Sequence, residues 1–301
     1  MLLNAVNTLM KKEFANAAPQ WRSMTQSYED NMFLKSECKK DSEFDPFNSR
    51  KKMLDDVDKG DSMITVMGCQ YGTVHVVHTL KGNIHEDIPW GLWGRILRMY
   101  SNKQNSAHDS THDSTQNIPI KVFFLATDSL REFPKKGPIT PLNINGGYTY
   151  HCNRETIMIY RAEDATRVLL HELMHACCLD RMELGIDQVE AETEAWAELM
   201  HVGFLSQGNS RRFYELLHRQ ADWIIRQNER VRKWIKDTKA FPWRYTVGKE
   251  EVWRRWNILG DDSASHNDNA NHKPMTSLRL TCSPDSTSKK DFNVGVNSVI
   301  L

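Results

Sequence analysis

No apolar run in this chain approaches the roughly twenty residues that cross a bilayer, so the sequence reads as having no membrane span. Neither sign of charge prevails, since 39 Lys and Arg stand against 39 Asp and Glu. A balanced chain has no global field to draw it onto nucleic acid or an anionic membrane, and any such contact would need a local patch. Cysteine is sparse and unpatterned. Cys38, Cys69, Cys152, Cys177, Cys178 and Cys282 include no C-x-x-C spacing, which argues against a small secreted disulfide framework. Cys177 and Cys178 are neighbours, and neighbouring cysteines rarely bridge. The opening stretch MLLNAVNTLMKK is too short and too polar for a signal-peptide core. These absences lead us to expect a soluble intracellular protein in a reducing compartment, cytoplasmic or nuclear.

What is present is an ordinary globular balance, 40% hydrophobic and 26% charged over 301 residues. That is enough to build a core around a dry site. Residues 1–60 are polar and mixed, with helix near the start, and read as an N-terminal extension. A main domain follows over 61–259. SMITVMG and GTVHVVHTL alternate β-branched and polar residues about a turn near Gly72, as strands do. Trp90–Tyr100 reads as an amphipathic helix. Residues 103–117 repeat the unit HDST and have no apolar face to bury, so a disordered insert is expected there. KVFFLATD, GGYTYHC and TIMIY are further strand candidates. After Tyr160 the pattern changes to helices at about 165–179, 188–205, 210–236 and 249–258. The segment 260–301, rich in Ser, Asp and Asn, reads as a disordered tail. Strands first and helices afterwards indicate an α+β fold.

The chemistry is concentrated in RVLLHELMHACCLD. His171 and His175, four apart on a helix, lie on one face, so both imidazoles can reach one Zn²⁺. Glu172 can face a zinc-activated water and take its proton as the water attacks a carbonyl, the role of a general base. Leu169, Leu170, Leu173, Met174 and Ala176 make the other faces apolar, so the helix should be buried. Asp164 is placed to cap it. Two histidines and a glutamate in so apolar a helix would carry a stability cost if they had no task.

A catalytic zinc keeps three protein ligands and one open position. The next helix reads GIDQVEAETEAWAEL from Gly185. Asp187 with Glu190 fits a D-x-x-E capping box, which makes Glu190 a cap rather than a ligand. Glu192 points to another side. Glu194 and Glu198 share a face, so Glu194 is the candidate third ligand, and Glu198 is placed to accept a hydrogen bond from a ligand histidine.

Eighteen residues separate His175 from Glu194, giving HExxH-x18-E. This resembles the gluzincin metallopeptidases, with the spacing of the M1 aminopeptidase family. The resemblance implies a zincin-like domain: a small mixed sheet with an edge strand, then the active-site helix, then a C-terminal helical subdomain. It implies one zinc held by His171, His175 and Glu194, Glu172 as base, and Glu198 in the place of an acidic residue that orients a histidine. Arg244-Tyr245-Thr246-Val247-Gly248 is similar to the Y-x-K-G segment of that family, with Val247 for the lysine, and Tyr245 would then stabilise the oxyanion. The exopeptidase segment G-x-M-E-N is absent, and the corresponding stretch reads NGGYTYHCN. The resemblance covers about residues 145–255 and carries the clan, not the family. A peptide or protein is the expected substrate.

Three other readings remain. A metzincin pattern would need a ligand six residues after His175, where Arg181 stands, with Asp180 one residue short. An SprT-like DNA-associated protease would use His201 as third ligand. Residues 211–256 suit it, with thirteen Lys and Arg against six acids and five of the nine tryptophans, a mixture that fits single-stranded nucleic acid. A non-catalytic zinc scaffold is the third, although such a site would have no use for Glu172.

Overall fold

The computed structural model describes residues 1–42, 45, 48–80, 88–101, 119–235, 241–260 and 277–282. In chain order its elements begin α1 (Leu2–Phe14), β1 (Arg22–Met24), α2 (Tyr28–Lys39), α3 (Ser49–Asp58), β2 (Ser62–Cys69) and β3 (Gly72–Thr79). There follow α4 (Trp90–Ser101), β4 (Ile120–Leu125), α5 (Pro141–Ile144), β5 (Gly147–Tyr148), β6 (Ile157–Ile159) and α6 (Ala165–Ala176). A 3-10 turn (Met182–Leu184) leads to α7 (Ile186–Leu205), α8 (Ser210–Val231), α9 (Phe241–Tyr245) and α10 (Val247–Arg255). The architecture is α+β. Among the described residues no helix is long and apolar enough to cross a membrane.

The chain divides into two compact units. One, from Ala17–Ser129 and Gly146–Leu179, holds the whole sheet, in the order β1-β2-β3-β4-β6-β5. β1, β2 and β3 are antiparallel, β3, β4 and β6 run parallel, and β5 closes the far edge antiparallel to β6. β4 and β6 are almost wholly apolar on both faces, because helices cover both sides. On one side Leu34 and Cys38 of α2 and Met53 and Leu54 of α3 pack on Val77, Phe123, Leu125 and Met158. On the other, the buried Trp93 of α4 sits 5.6 Å from Phe124 and donates from its indole to Thr166 Oγ1 of α6 at 2.9 Å. Each fully buried large apolar side chain of this kind stabilises the fold by about 1.5–3 kcal/mol. Gly72 cannot be larger, since a Cβ there would come within 2.3 Å of the Ile120 carbonyl oxygen where β3 and β4 begin to pair.

The other unit, from Met1–Asn16, Leu130–Asn145 and Asp180 onward, is helical around α7. Small residues let neighbours approach this helix. A Cβ on Gly203 would meet Met10 of α1 at 3.1 Å, and a Cβ on Gly248 of α10 would meet Ala191 at 2.9 Å. The Trp253 indole donates to the Ala195 carbonyl at 3.0 Å. The Asn209 side chain caps α8 by accepting from the Arg212 amide at 3.0 Å.

Several expectations need correcting. The segment 1–60 is divided between the units, with α1 in the helical one and α2 and α3 against the sheet. The third long helix stops at Val231 rather than near 236, and the last covers Val247–Arg255 rather than 249–258. Part of the tail is ordered. Ser277 pairs with Glu132, and the Gln227 and Trp223 side chains donate to the Arg279 carbonyl at 2.8 and 3.0 Å. The cause is an apolar pair, Leu278 and Leu280, both buried. The insert expected at 103–117 and the tail segments 261–276 and 283–301 lie outside the described residues.

Candidate metal centre

α6 packs its apolar residues inward, and Val168, Leu169, Leu170 and Leu173 are all buried. Asp164 is the N-cap, as expected, but in a left-handed conformation (φ 60) and without a side-chain cap bond, while its carbonyl accepts from Val168 N at 2.9 Å. At the far end Leu179 N donates to Met174 O at 3.0 Å and Cys178 N to His175 O at 3.2 Å. That pair of bonds is a Schellman ending, with Cys178 at φ 53 where glycine is usual.

His171 and Glu172 are buried on this helix, and His175 is half-buried one turn on. The two Nε2 atoms are 2.9 Å apart, and the rings meet at 74° with centroids separated by 4.7 Å. Two nitrogens on a tetrahedral zinc would stand about 3.3 Å apart, given Zn–N bonds of about 2.0–2.1 Å. At 2.9 Å the two ring nitrogens are within hydrogen-bond distance of each other, and joint metal ligation would require them to part by a few tenths of an ångström.

The edge strand borders the base. A Cβ on Gly147 would lie 3.4 Å from Glu172 Oε1, 2.6 Å from Val168 and 2.8 Å from the Met158 carbonyl oxygen. Only glycine lets β5 pass this close. On the opposite face of β5, the Tyr148 hydroxyl donates to Glu37 Oε2 at 2.9 Å and accepts from Arg50 Nη1 at 2.6 Å. Burial pushes the Tyr148 phenol well above its usual range, with the Glu37 carboxylate adding to the rise. Arg50 is itself held by Asp45 at 3.1 Å, so the strand is pinned from behind by a buried polar network.

α7 carries the acidic residues. Its N-cap is Gly185, so the expected Asp187–Glu190 capping box does not form. Asp187 instead accepts from Arg244 Nε at 2.6 Å. The helix starts one residue before Asp187, which leaves that side chain inside the first turn. Glu194 and His201 are buried, and Glu190 is half-buried. Glu198 and Lys249 are both fully buried and pair at 2.6 Å. Glu192, on another face as expected, is clasped by Arg181 at 3.0 Å and by Arg255 at 2.5 Å. Asp180 accepts from Thr193 Oγ1 at 3.0 Å. Tyr245 ends α9 with its ring 4.9 Å from Phe241.

The tryptophans of 211–256 are largely occupied by packing. Trp243 and Trp253 are buried, Trp223 bonds to the tail, and Trp256 lies 4.8 Å from Trp196. Sequence reasoning missed the Cys152–Cys178 disulfide, Gly147 against Glu172, and Lys249 as the partner of Glu198. No family model, curated protein or solved structure matches this chain.

Proposed function

We propose that this protein is a zinc-dependent metallopeptidase of zincin-like architecture that hydrolyses peptide bonds in peptide or protein substrates. The observation that supports the reading best is the convergence of the His171 and His175 Nε2 atoms at 2.9 Å beside the buried carboxylate of Glu172. Zinc, when bound, would lower the pKa of a water and polarise the scissile carbonyl. His171 and His175 would hold the ion. Glu172, in low-dielectric surroundings, takes the proton from the water and passes it to the leaving amine. A carboxylate of α7 would complete the ligand set. Glu194 is the choice on spacing, and Glu190 stands one turn earlier on the same face of α7. Glu198 steadies that face through Lys249, and Tyr245 donates to the oxyanion. The protein works inside the cell, in cytoplasm or nucleus.

The test is a peptidase assay on Glu172→Gln beside the wild type. The substitution keeps shape and removes the proton acceptor, so zinc and fold should stay while turnover falls by about two to four orders of magnitude. Turnover near the wild-type level would end the proposal. The SprT-like reading keeps His201 and the basic charge of 211–256, while most of the tryptophans there are packed. Salt-dependent retention on DNA would be its signature.

A further inference from the structure

We infer that Cys152 and Cys178 form a reversible thiol-exchange site that latches the end of the metal-bearing helix. The inference rests on the proposed zinc site only in what it says about metal retention, and the latch itself stands on local geometry. The two sulfurs are bonded, and the residues are 26 apart in sequence. Both cysteines are exposed, so an external thiol can reach them. Both also have positive φ, 59 for Cys152 and 53 for Cys178, a region that non-glycine residues adopt only when held. Their amide hydrogens converge on one acceptor: Cys152 N and Cys178 N donate to the His175 carbonyl at 3.0 and 3.2 Å. The bridge therefore clamps the loop after β5 onto the backbone of a candidate ligand histidine, three residues from the crosslink.

The surroundings suit exchange. His151 Nδ1 lies 3.3 Å from Cys152 Sγ, where an imidazole can stabilise a departing thiolate. Attack by a small-molecule thiolate on Cys178 Sγ then forms a mixed disulfide there, and the S–S bond breaks with its electron pair leaving on Cys152. A second thiol molecule attacks the mixed disulfide and frees Cys178. The sum is one protein disulfide plus two external thiols giving two protein thiols plus one external disulfide, with two electrons and two protons passed to the protein. Opening the bridge releases two strained residues and the clamp on His175, so the helix end frays. A chain that works in a reducing compartment would thus hold its metal most firmly when the compartment turns oxidising.

The experiment equilibrates the full chain in oxidised and in reduced glutathione, alkylates free thiols, and reads Cys152 and Cys178 by peptide mass. Both states are then compared by amide hydrogen exchange over the end of α6 and by the rate of zinc loss. The expected result is a bridge that opens at millimolar reduced glutathione in the folded protein. Exchange at the amides of Cys177, Cys178 and Leu179 should quicken about tenfold, as expected for local opening. Zinc loss should quicken by about 10–100-fold, as for removal of a ligand's supporting contact. Cys152→Ser/Cys178→Ser should behave like the reduced wild type and ignore the redox buffer, and His151→Ala should slow opening. The inference is overturned if both cysteines are alkylated after oxidising equilibration, if the bridge survives reduced glutathione in the folded chain, or if exchange is equal in the two states. Exchange that responds while neither state holds zinc supports the latch and removes the metal reading.

Discussion

Replacing Lys249 by methionine should cost this protein more than any surface charge change, and the reason is geometric. Its Nζ lies 2.6 Å from Glu198 Oε2, with both side chains fully buried, and also donates to the Leu280 carbonyl at 3.2 Å. At an effective dielectric constant of about 20, the gross attraction across that gap is roughly 6 kcal/mol. Most of it offsets the desolvation of the two charges. Removing only the lysine leaves Glu198 buried without its cation, and losses of about 3–5 kcal/mol follow from breaking such pairs. Lys249→Met should therefore lower Tm by roughly 10 °C, taking about 2–4 °C per kcal/mol for a chain of this order of size. Glu198→Leu/Lys249→Met should recover most of the loss, because neither charge then remains in the core. Urea denaturation of the two single variants and the double variant gives the coupling energy directly. A loss below about 1 kcal/mol for Lys249→Met, or a double variant as unstable as the sum of the singles, would refute the burial argument. Zinc affinity adds a second reading of the same set. If Glu198 steadies the ligand face, Glu198→Gln should weaken zinc by about 10–100-fold.

Stability should fall on mild acidification through His75. Burial holds its pKa below the usual value against the opposing pull of Asp30, 3.5 Å away, and Lys121, bound to Asp30 at 3.0 Å and to Glu155 at 3.0 Å, adds to the lowering. Since the folded pKa is depressed, the unfolded chain binds a proton first. The contribution is intact above about pH 6.5 and is lost as pH drops below it, so His75→Phe should flatten urea midpoints between about pH 6.5 and 5. An unchanged slope would show that another group sets it. Zinc titration of Glu190→Gln, Glu194→Gln and His201→Ala decides the third ligand. A severe loss is expected for one of the two glutamates, and retention for His201→Ala. The reverse pattern would favour the SprT-like arrangement. Gly147→Ala should slow turnover or destabilise the sheet edge, because its methyl would meet Val168 and the Met158 carbonyl before reaching Glu172. Normal activity and Tm would show that β5 has slack the geometry denies.

The sequence made the helices and inner strands legible because their periodicity is strong. α6, α7 and α8 fall within a few residues of expectation, and the alternation in SMITVMG and GTVHVVHTL marked β2 and β3. The HExxH pair was legible for the same reason, since i and i+4 share a face wherever a helix forms. Other features depend on contacts distant in the chain. Cys152 and Cys178 meet because a strand end and a Schellman turn bring them together, and no local pattern announces that. The Asp187 box failed because Gly185, at φ 77, begins the helix earlier than the side-chain pattern suggests. Leu278 and Leu280 were read as part of a polar tail because two apolar residues are too few to register until α8 is there to receive them. Lys249 went unforeseen as a partner of Glu198 because nothing local in a sequence marks a lysine that will be buried.

Zinc content of the gently purified protein, measured beside His171→Ala and His175→Ala, tests the central claim most directly. The account predicts about one zinc per wild-type chain, bound through two imidazoles by X-ray absorption, and almost none in either variant that remains folded. Equal zinc in all three proteins, or none in the wild type after metal is supplied, would contradict it.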